Sequence, residues 1–519
     1  MARLILLLVF IILTKASFCQ DSLVLYKEIT FSSLFEKKSF DNHFIHQKTD
    51  LFDLLMANGG LLNEGRIASS KEGFYSHLDN MGFEKMTTRK NDRQVKFVYD
   101  NIHKKFLQKY EERNKYEEIF SNGFYNCVSA SALYALAFDR LKIPYTIKEK
   151  PTHVYLIAYP GAENIMIETT TPVGGFYQIS TPFKQNFVKT LKDQKLISAQ
   201  EFNAYDVNVL FERYYFGKQE EINLLQLVGL HYLNDGLYKM DDGLAESALH
   251  QFEKAFLFYP SDRTGYLMMV AATDAFHAKK EKDNNHAILL AKLSRYQKYG
   301  VTPEMIKGEF GRVLLDLIPQ ADKRDQLNSY YQTLYSGIST DELRKEIDFL
   351  YHYEFGRQLY HQLRYKEALT HFEKAVQAKP KSTDALNAFM GCLGHTLSAQ
   401  NNNKEAIGTL EKYGSIYPDL KVNNLYSIML ASAFLSQFGQ EYELNRPGEG
   451  DKYKTAFEMI KDNNQDLPIN HSLIGYAYSS AAVYFFRRGQ TAKAKNIINK
   501  GLEYSPNNPE LMIRLEMLR

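Results

Sequence analysis

The sequence predicts an α+β domain followed by an all-α helical repeat region, and three observations predict it. The stretch Gly123 to Gly175 passes from an apolar helix pattern into two β-rich runs, the order of an α+β module. A second pattern recurs four times between Ala248 and Pro506 at fixed offsets, as repeated helix pairs do. At 519 residues the chain also exceeds what one hydrophobic core supports, so two or more domains are expected. Hydrophobic content of 45% and charged content of 24% are those of globular protein. A net charge of +2 with no basic run argues against nucleic acid as a partner.

The N-terminus reads as a targeting segment. Arg3 is followed by an unbroken apolar run from Leu4 to Leu13, then by small residues. Ten residues rise about 15 Å as a helix, half a bilayer core, which suits a signal peptide and not a membrane span. Ser17 and Cys19 fit the −3 and −1 cleavage positions, giving a mature start at Gln20. The alternative is a lipoprotein acylated at Cys19, disfavoured by Phe18 where such a site wants a small residue. No later run reaches membrane-spanning length, so an exported protein without a transmembrane segment is expected. Export then gives the cysteine count meaning. Cleavage leaves Cys127 and Cys392, and an unpaired thiol in an exported protein is a candidate reactive group. Cys392, among Ala388, Phe389, Met390 and Leu393, reads as an inert core residue.

Each element follows in order. Residues 21–89 carry short apolar clusters, such as Leu51 to Met56, without a clear period. Val95, Val98, Ile102 and Phe106 recur at helical spacing, so a long amphipathic helix is expected from Asp92 to about Tyr116. Asn122-Gly123 marks a turn. Asn126 precedes Cys127, and Val128, Ala132, Leu133, Leu136 and Ala137 give the next helix a dense apolar face. Pro144 forces an extended exit. Val154 to Tyr159 and Ile165 to Glu168 form a hairpin around a loop of Pro160 to Asn164. Thr181-Pro182 begins a less regular connection, leading through Tyr214 and Tyr215 to the second half.

Three residues in the α+β stretch carry chemistry. Cys127 opens a helix, His153 opens a strand and Glu168 closes the next, at intervals of 26 and 15 residues. A cysteine at a helix's first turn meets the positive end of the macrodipole and unpaired amides, which favour thiolate and can receive an oxyanion. His153 would act as the base and Glu168 would orient it. Asn126 reads as a turn residue beside them. The 14 histidines are scattered without metal-ligand spacing, and no glycine-rich phosphate loop is present, so no metal and no cofactor is expected.

In the second half Ala248, Phe252, Ala255 and Pro260 stand at offsets 0, 4, 7 and 12, and Ala368, Phe372, Ala375 and Pro380 repeat them unchanged. Ala406, Leu410, Tyr413 and Pro418, and Ala494, Ile498, Gly501 and Pro506, repeat them with substitutions. These resemble the second helix of the tetratricopeptide repeat, with Gly356 twelve residues before Ala368 as the close-packing glycine and Gly229 with Tyr232 as a similar first-helix pair. About seven or eight helix pairs are expected, stacked as a solenoid that binds a protein or peptide, with Asn387 and Arg357 as contact residues.

Asn126-Cys127, His153-Val154-Tyr155 and Ile167-Glu168-Thr169-Thr170 resemble the transglutaminase-like superfamily, which shares a papain-like core. The resemblance covers roughly residues 92–175 and implies that Cys127 is a nucleophile and His153 its base, in acyl transfer at an amide. The superfamily's third member is most often aspartate followed by proline, whereas here Glu168 precedes Thr169-Thr170-Thr171-Pro172. The expected domains are a signal peptide at 1–19, a transglutaminase-like domain at 20–215 with its core at about 92–180, and a repeat region at 220–519. The clearest repeats lie at about 222–262, 349–382, 383–420 and 470–508. Two functions fit: an exported cysteine peptidase, amidase or acyltransferase, and a non-catalytic binding scaffold with a vestigial transglutaminase-like domain.

Overall fold

A computed structural model describes residues 23–59, 63–150, 153–169, 176–178, 181–194, 197–215, 220–400 and 402–518. The expected signal peptide and Thr170 to Pro172 lie outside the described residues. The chain forms a mixed α+β N-terminal domain followed by a long, repetitively packed all-α region, consistent with a helical solenoid. By contacts it divides into two compact units, one reaching Glu281 and including Arg295–Val301, the other comprising Lys282–Ser294 and the chain from Thr302 onward. The first helix pair of the all-α region therefore belongs to the N-terminal unit.

The N-terminal unit holds seven strands among its described residues: β1 (Lys109–Tyr110), β2 (Phe124–Tyr125), β3 (Tyr145–Lys150), β4 (His153–Ala158), β5 (Ile165–Ile167), β6 (Phe176–Gln178) and β7 (Glu220–Ile222). β1 and β2 pair in parallel. The other five form an antiparallel sheet in the order β6-β5-β4-β3-β7. The expected hairpin is β4–β5, with Ala158 opposite Ile165 and Leu156 opposite Ile167. Its loop turns through left-handed backbone at Tyr159, Gly161 and Asn164. The extended exit at Pro144 is itself a strand, paired along its whole length with β4. Tyr155, Ile157 and Met166 pack against Val188, Leu191, Leu210 and Phe211. Those last four lie on helices Thr181–Asp193 and Val207–Tyr215, so the stretch expected to be irregular is helical and covers the sheet.

The helix expected to reach Tyr116 ends at Phe106. Leu107 turns to extended backbone, and β1 then pairs with β2, so cross-strand hydrogen bonding replaces helix continuation. Upstream, the poorly periodic residues form helices Leu34–Phe44, Leu51–Met56 and Glu64–Asn80. Their weak periodicity has a cause. Phe40 packs its ring on Tyr232 and Phe258, and Glu36 pairs with Lys254, with neither charged side chain exposed to solvent. A face that buries a carboxylate as well as aromatics does not read as an apolar stripe.

The repeated offsets have one structural meaning. Each falls on a 14-residue helix, Ala245–Phe258, Tyr365–Ala378, Asn403–Ile416 and Thr491–Tyr504, ending two residues before its proline. Ala248, Phe252 and Ala255 are buried, as are Ala368, Phe372 and Ala375, and Ala494, Ile498 and Gly501. In Asn403–Ile416 burial shifts to Ile407, Leu410 and Gly414. A further pair, Asn424–Glu443 with Pro447–Asn463, packs in the same way without matching the offsets: Gly450 stands where the others have alanine, against the Tyr442 ring. The turns before these helices use left-handed backbone at Gly243, Leu363, Asn445 and Gly489.

The glycine equivalent to Gly356 is Gly236, which also stands twelve residues before its alanine. A Cβ on Gly236 would lie 2.4 Å from the Phe252 ring, and one on Gly356 would lie 3.0 Å from the Phe372 ring. Gly229 approaches Tyr259 instead. Because Phe252 is fully buried, its ring has nowhere to retreat. Gly236→Ala is expected to destabilise the protein by about 1–3 kcal/mol in urea unfolding. Adding Phe252→Leu should recover part of that loss.

Candidate functional site

The cysteine helix spans Cys127–Leu141. Asn126 is its N-cap: its side chain accepts from the Ser129 amide at 2.9 Å, and its own amide donates to the Ser129 hydroxyl at 2.9 Å. This capping box satisfies the third helical amide and leaves those of Cys127 and Val128 without an intrahelical acceptor. The cap is itself braced. Ser129 donates to Asn114 at 2.7 Å, and the Asn126 amide nitrogen donates to the Glu112 carbonyl at 3.1 Å. One turn after the cysteine, the buried Ser131 hydroxyl donates to the Val154 carbonyl at 3.3 Å. That bond ties the cysteine helix to β4 at the residue next to His153.

His153 is the first residue of β4 and Glu168 directly follows β5. Continuing the β4–β5 register places Glu168 opposite Tyr155 and diagonal to His153, within reach of a long side chain. The His153 Nε2 and a Glu168 carboxylate oxygen lie 2.8 Å apart. Cys127 also acts on the ring, raising its pKa by hydrogen bonding. Tyr155 stacks beside the imidazole with centroids 6.1 Å apart. The structure brings His153 and Glu168 to 2.8 Å, and Cys127, partly exposed like His153, acts on the ring. Asn126, read as a turn residue, is instead the helix N-cap in extended backbone.

The electrostatics favour a protonated ring. Hydrogen bonding to Cys127 and then to Glu168 raises His153 to about 9, against the opposing effect of burial. Two consequences can be measured. The ring should titrate near pH 9 by NMR and fall toward 6.5 in Cys127→Ala, and further when Glu168→Gln is added. Since the folded value lies above the unfolded one, this group's contribution to stability is complete below pH 6.5 and is lost as pH rises through 9. A wild-type ring titrating at 6.5 would refute the contact.

Two tyrosines that sequence reasoning missed flank the site. Burial and then Cys127 raise Tyr110, and burial, Glu112 and then Cys127 raise Tyr238. Tyr238 comes from helix Leu224–Asp241, and its hydroxyl donates to the Glu112 carbonyl at 2.6 Å, the same oxygen that Asn126 uses. Arg113 pairs with Asp242 at 2.8 Å beside it. The first helix of the all-α region therefore braces the cap of the cysteine helix. No local signal marks Tyr238, 111 residues from the cysteine in sequence; Tyr110 was hidden inside the overlong helix expectation.

Cys392 is fully buried, and burial pushes its thiol up to about 12. Arg357 pairs with Glu354 and Asn387 accepts from Asn423, both on exposed surface. Among the described residues no group of three metal-ligating side chains converges, and no helix is long and apolar enough to cross a membrane. Fold and site together define an α+β domain carrying a His153–Glu168 pair, joined to a helical repeat region. No protein-family model and no curated protein matches the chain.

Proposed function

We propose that the chain is an exported cysteine enzyme of the transglutaminase-like type, acting on amide bonds by thiol acyl transfer, with tetratricopeptide-like repeats that bind its protein or peptide partner. One observation carries the reading: His153 bonds Glu168 at 2.8 Å on the strand to which the Ser131–Val154 bond ties the Cys127 helix. In the reaction, the Cys127 sulfur attacks the amide carbonyl and the amides of Cys127 and Val128 face the developing oxyanion. His153, held by Glu168, gives its proton to the leaving amine. An acceptor then displaces the thioester and regenerates the thiol. The glutamate serves in place of the superfamily's usual aspartate by bonding the ring at 2.8 Å.

Hydroxylamine tests this directly, since it traps a thioester as a hydroxamate. With a mixture of glutamine-containing peptides, wild type should form hydroxamate and Cys127→Ala should form none. The export part of the reading rests on Arg3 and the apolar run Leu4 to Leu13. N-terminal sequencing of the secreted protein should begin at Gln20; retention of Met1 would overturn it.

A second reading, a non-catalytic binding scaffold, is the one the architecture alone favours. The all-α region fills more than half the chain and contains a cavity of about 650 Å³ lined by its own helices. Equal partner capture by wild type and Cys127→Ser, with no hydroxamate from either, would establish the scaffold.

A further inference from the structure

We propose that the cavity among helices Arg324–Gly337, Asp341–His361 and Tyr365–Ala378 binds a monoanionic carboxylate carrying a flat apolar group, held between Arg324 and Lys374. The cavity measures about 650 Å³, within the range of about 300–1,000 Å³ that small ligands fill. Its lining is chemically divided. One part is aromatic: Tyr331 and Tyr351 stack with centroids 4.0 Å apart, and Phe355 continues the wall. The other part is basic, formed by Arg324, Lys374, His352 and His371.

The two cations carry the argument. Among the described residues neither forms an ion pair with a carboxylate, although two acids line the same cavity. Those acids are already engaged. Asp348 accepts from the Tyr331 hydroxyl at 2.5 Å and faces His352 Nε2 at 3.5 Å, while Glu367 is held by Arg364 at 2.5 Å. Arg324 is fixed over the Phe355 ring at 5.1 Å, which leaves its N–H edge for another acceptor. With Arg364 balancing Glu367, the remaining charges are Arg324 and Lys374 against Asp348. That balance of one positive charge complements a carboxylate better than a doubly charged phosphate.

Two histidines stand beside the two cations. His352 and His371 face each other across an Nδ1–Nδ1 distance of 3.0 Å. Burial first, then His371 and Lys374, holds His352 down to about 3. Burial, then Lys374 and Arg324, holds His371 down to about 4.

This site is independent of the Cys127 reading, and Cys127→Ala should leave it unchanged. Calorimetry on the full chain would use four probes: N-acetylphenylalanine, its amide, a heptapeptide ending in phenylalanine with a free carboxylate, and inorganic phosphate. At least one carboxylate should bind saturably, with the amide at least tenfold weaker. The tighter of the free acid and the peptide identifies whether a small acid or a chain end is the source. Arg324→Gln and Lys374→Gln, both at exposed positions, should each weaken binding at least tenfold without changing thermal unfolding. Absence of saturable carboxylate binding, equal affinity for acid and amide, tighter binding of phosphate, or unchanged affinity in both folded variants would overturn the proposal.

Discussion

Replacing His153 with alanine is expected to slow alkylation of Cys127 by iodoacetamide at pH 7 by about a hundredfold, the lower end of what a positioned base contributes. The expectation follows from the ring's two partners. His153 is held by a 2.8 Å bond to Glu168 and raised to about 9 by hydrogen bonding to Cys127 and Glu168, so at pH 7 it is a cation that supports attack by the sulfur. Alanine removes that cation and leaves only the helix terminus to favour the thiolate. Glu168→Gln keeps a hydrogen-bonding group but loses the charge that supports imidazolium, so a smaller fall is expected. Labelling should vanish in Cys127→Ala, because Cys392 is fully buried and its thiol is pushed up to about 12. Equal rates in wild type and His153→Ala would remove the chemical basis of the enzyme reading.

Lys254→Met is expected to cost about 3–5 kcal/mol of stability, the largest loss anticipated for a single change away from the cysteine site. Lys254 lies 2.9 Å from each Glu36 oxygen, both side chains have zero solvent exposure, and the ammonium also faces the Tyr232 ring at 5.6 Å. Removing the ammonium strands a buried carboxylate. Removing both charges does not, so Glu36→Leu combined with Lys254→Met should recover most of the loss. Urea unfolding of the two variants checks this. A loss below about 1 kcal/mol in Lys254→Met would mean that water reaches the pair. The result would also report how firmly helix Leu34–Phe44 is clasped to helix Ala245–Phe258, since the pair spans 218 residues of sequence.

What was legible in the sequence was local. Helix Cys127–Leu141 announces itself by its cap, its apolar face and the proline beyond it. The β4–β5 hairpin shows because both strands are apolar and the loop between them holds proline, glycine and asparagine. The 14-residue helices repeat because the same small and aromatic residues must face a partner helix at each turn. The missed elements are those whose character comes from distant partners. β1 exists only because β2 pairs with it; the same residues otherwise read as the end of a helix. The N-terminal helices hide their core face because part of it is the charge of Glu36, balanced by a lysine over two hundred residues away.

The candidate site divides along the same line. The sequence by itself determined three reactive residues, their elements and their order, because caps, periodicity and turn residues act over a few positions. Only the tertiary structure decided how their elements stand together: strand register sets Glu168 diagonal to His153, and the Ser131–Val154 bond sets the cysteine helix against that strand. It also decided that Tyr238, from the first helix of the all-α region, steadies the cap of the cysteine helix. Hydrogen bonds between segments depend on how chains pack, and packing distance is a quantity that sequence spacing does not contain.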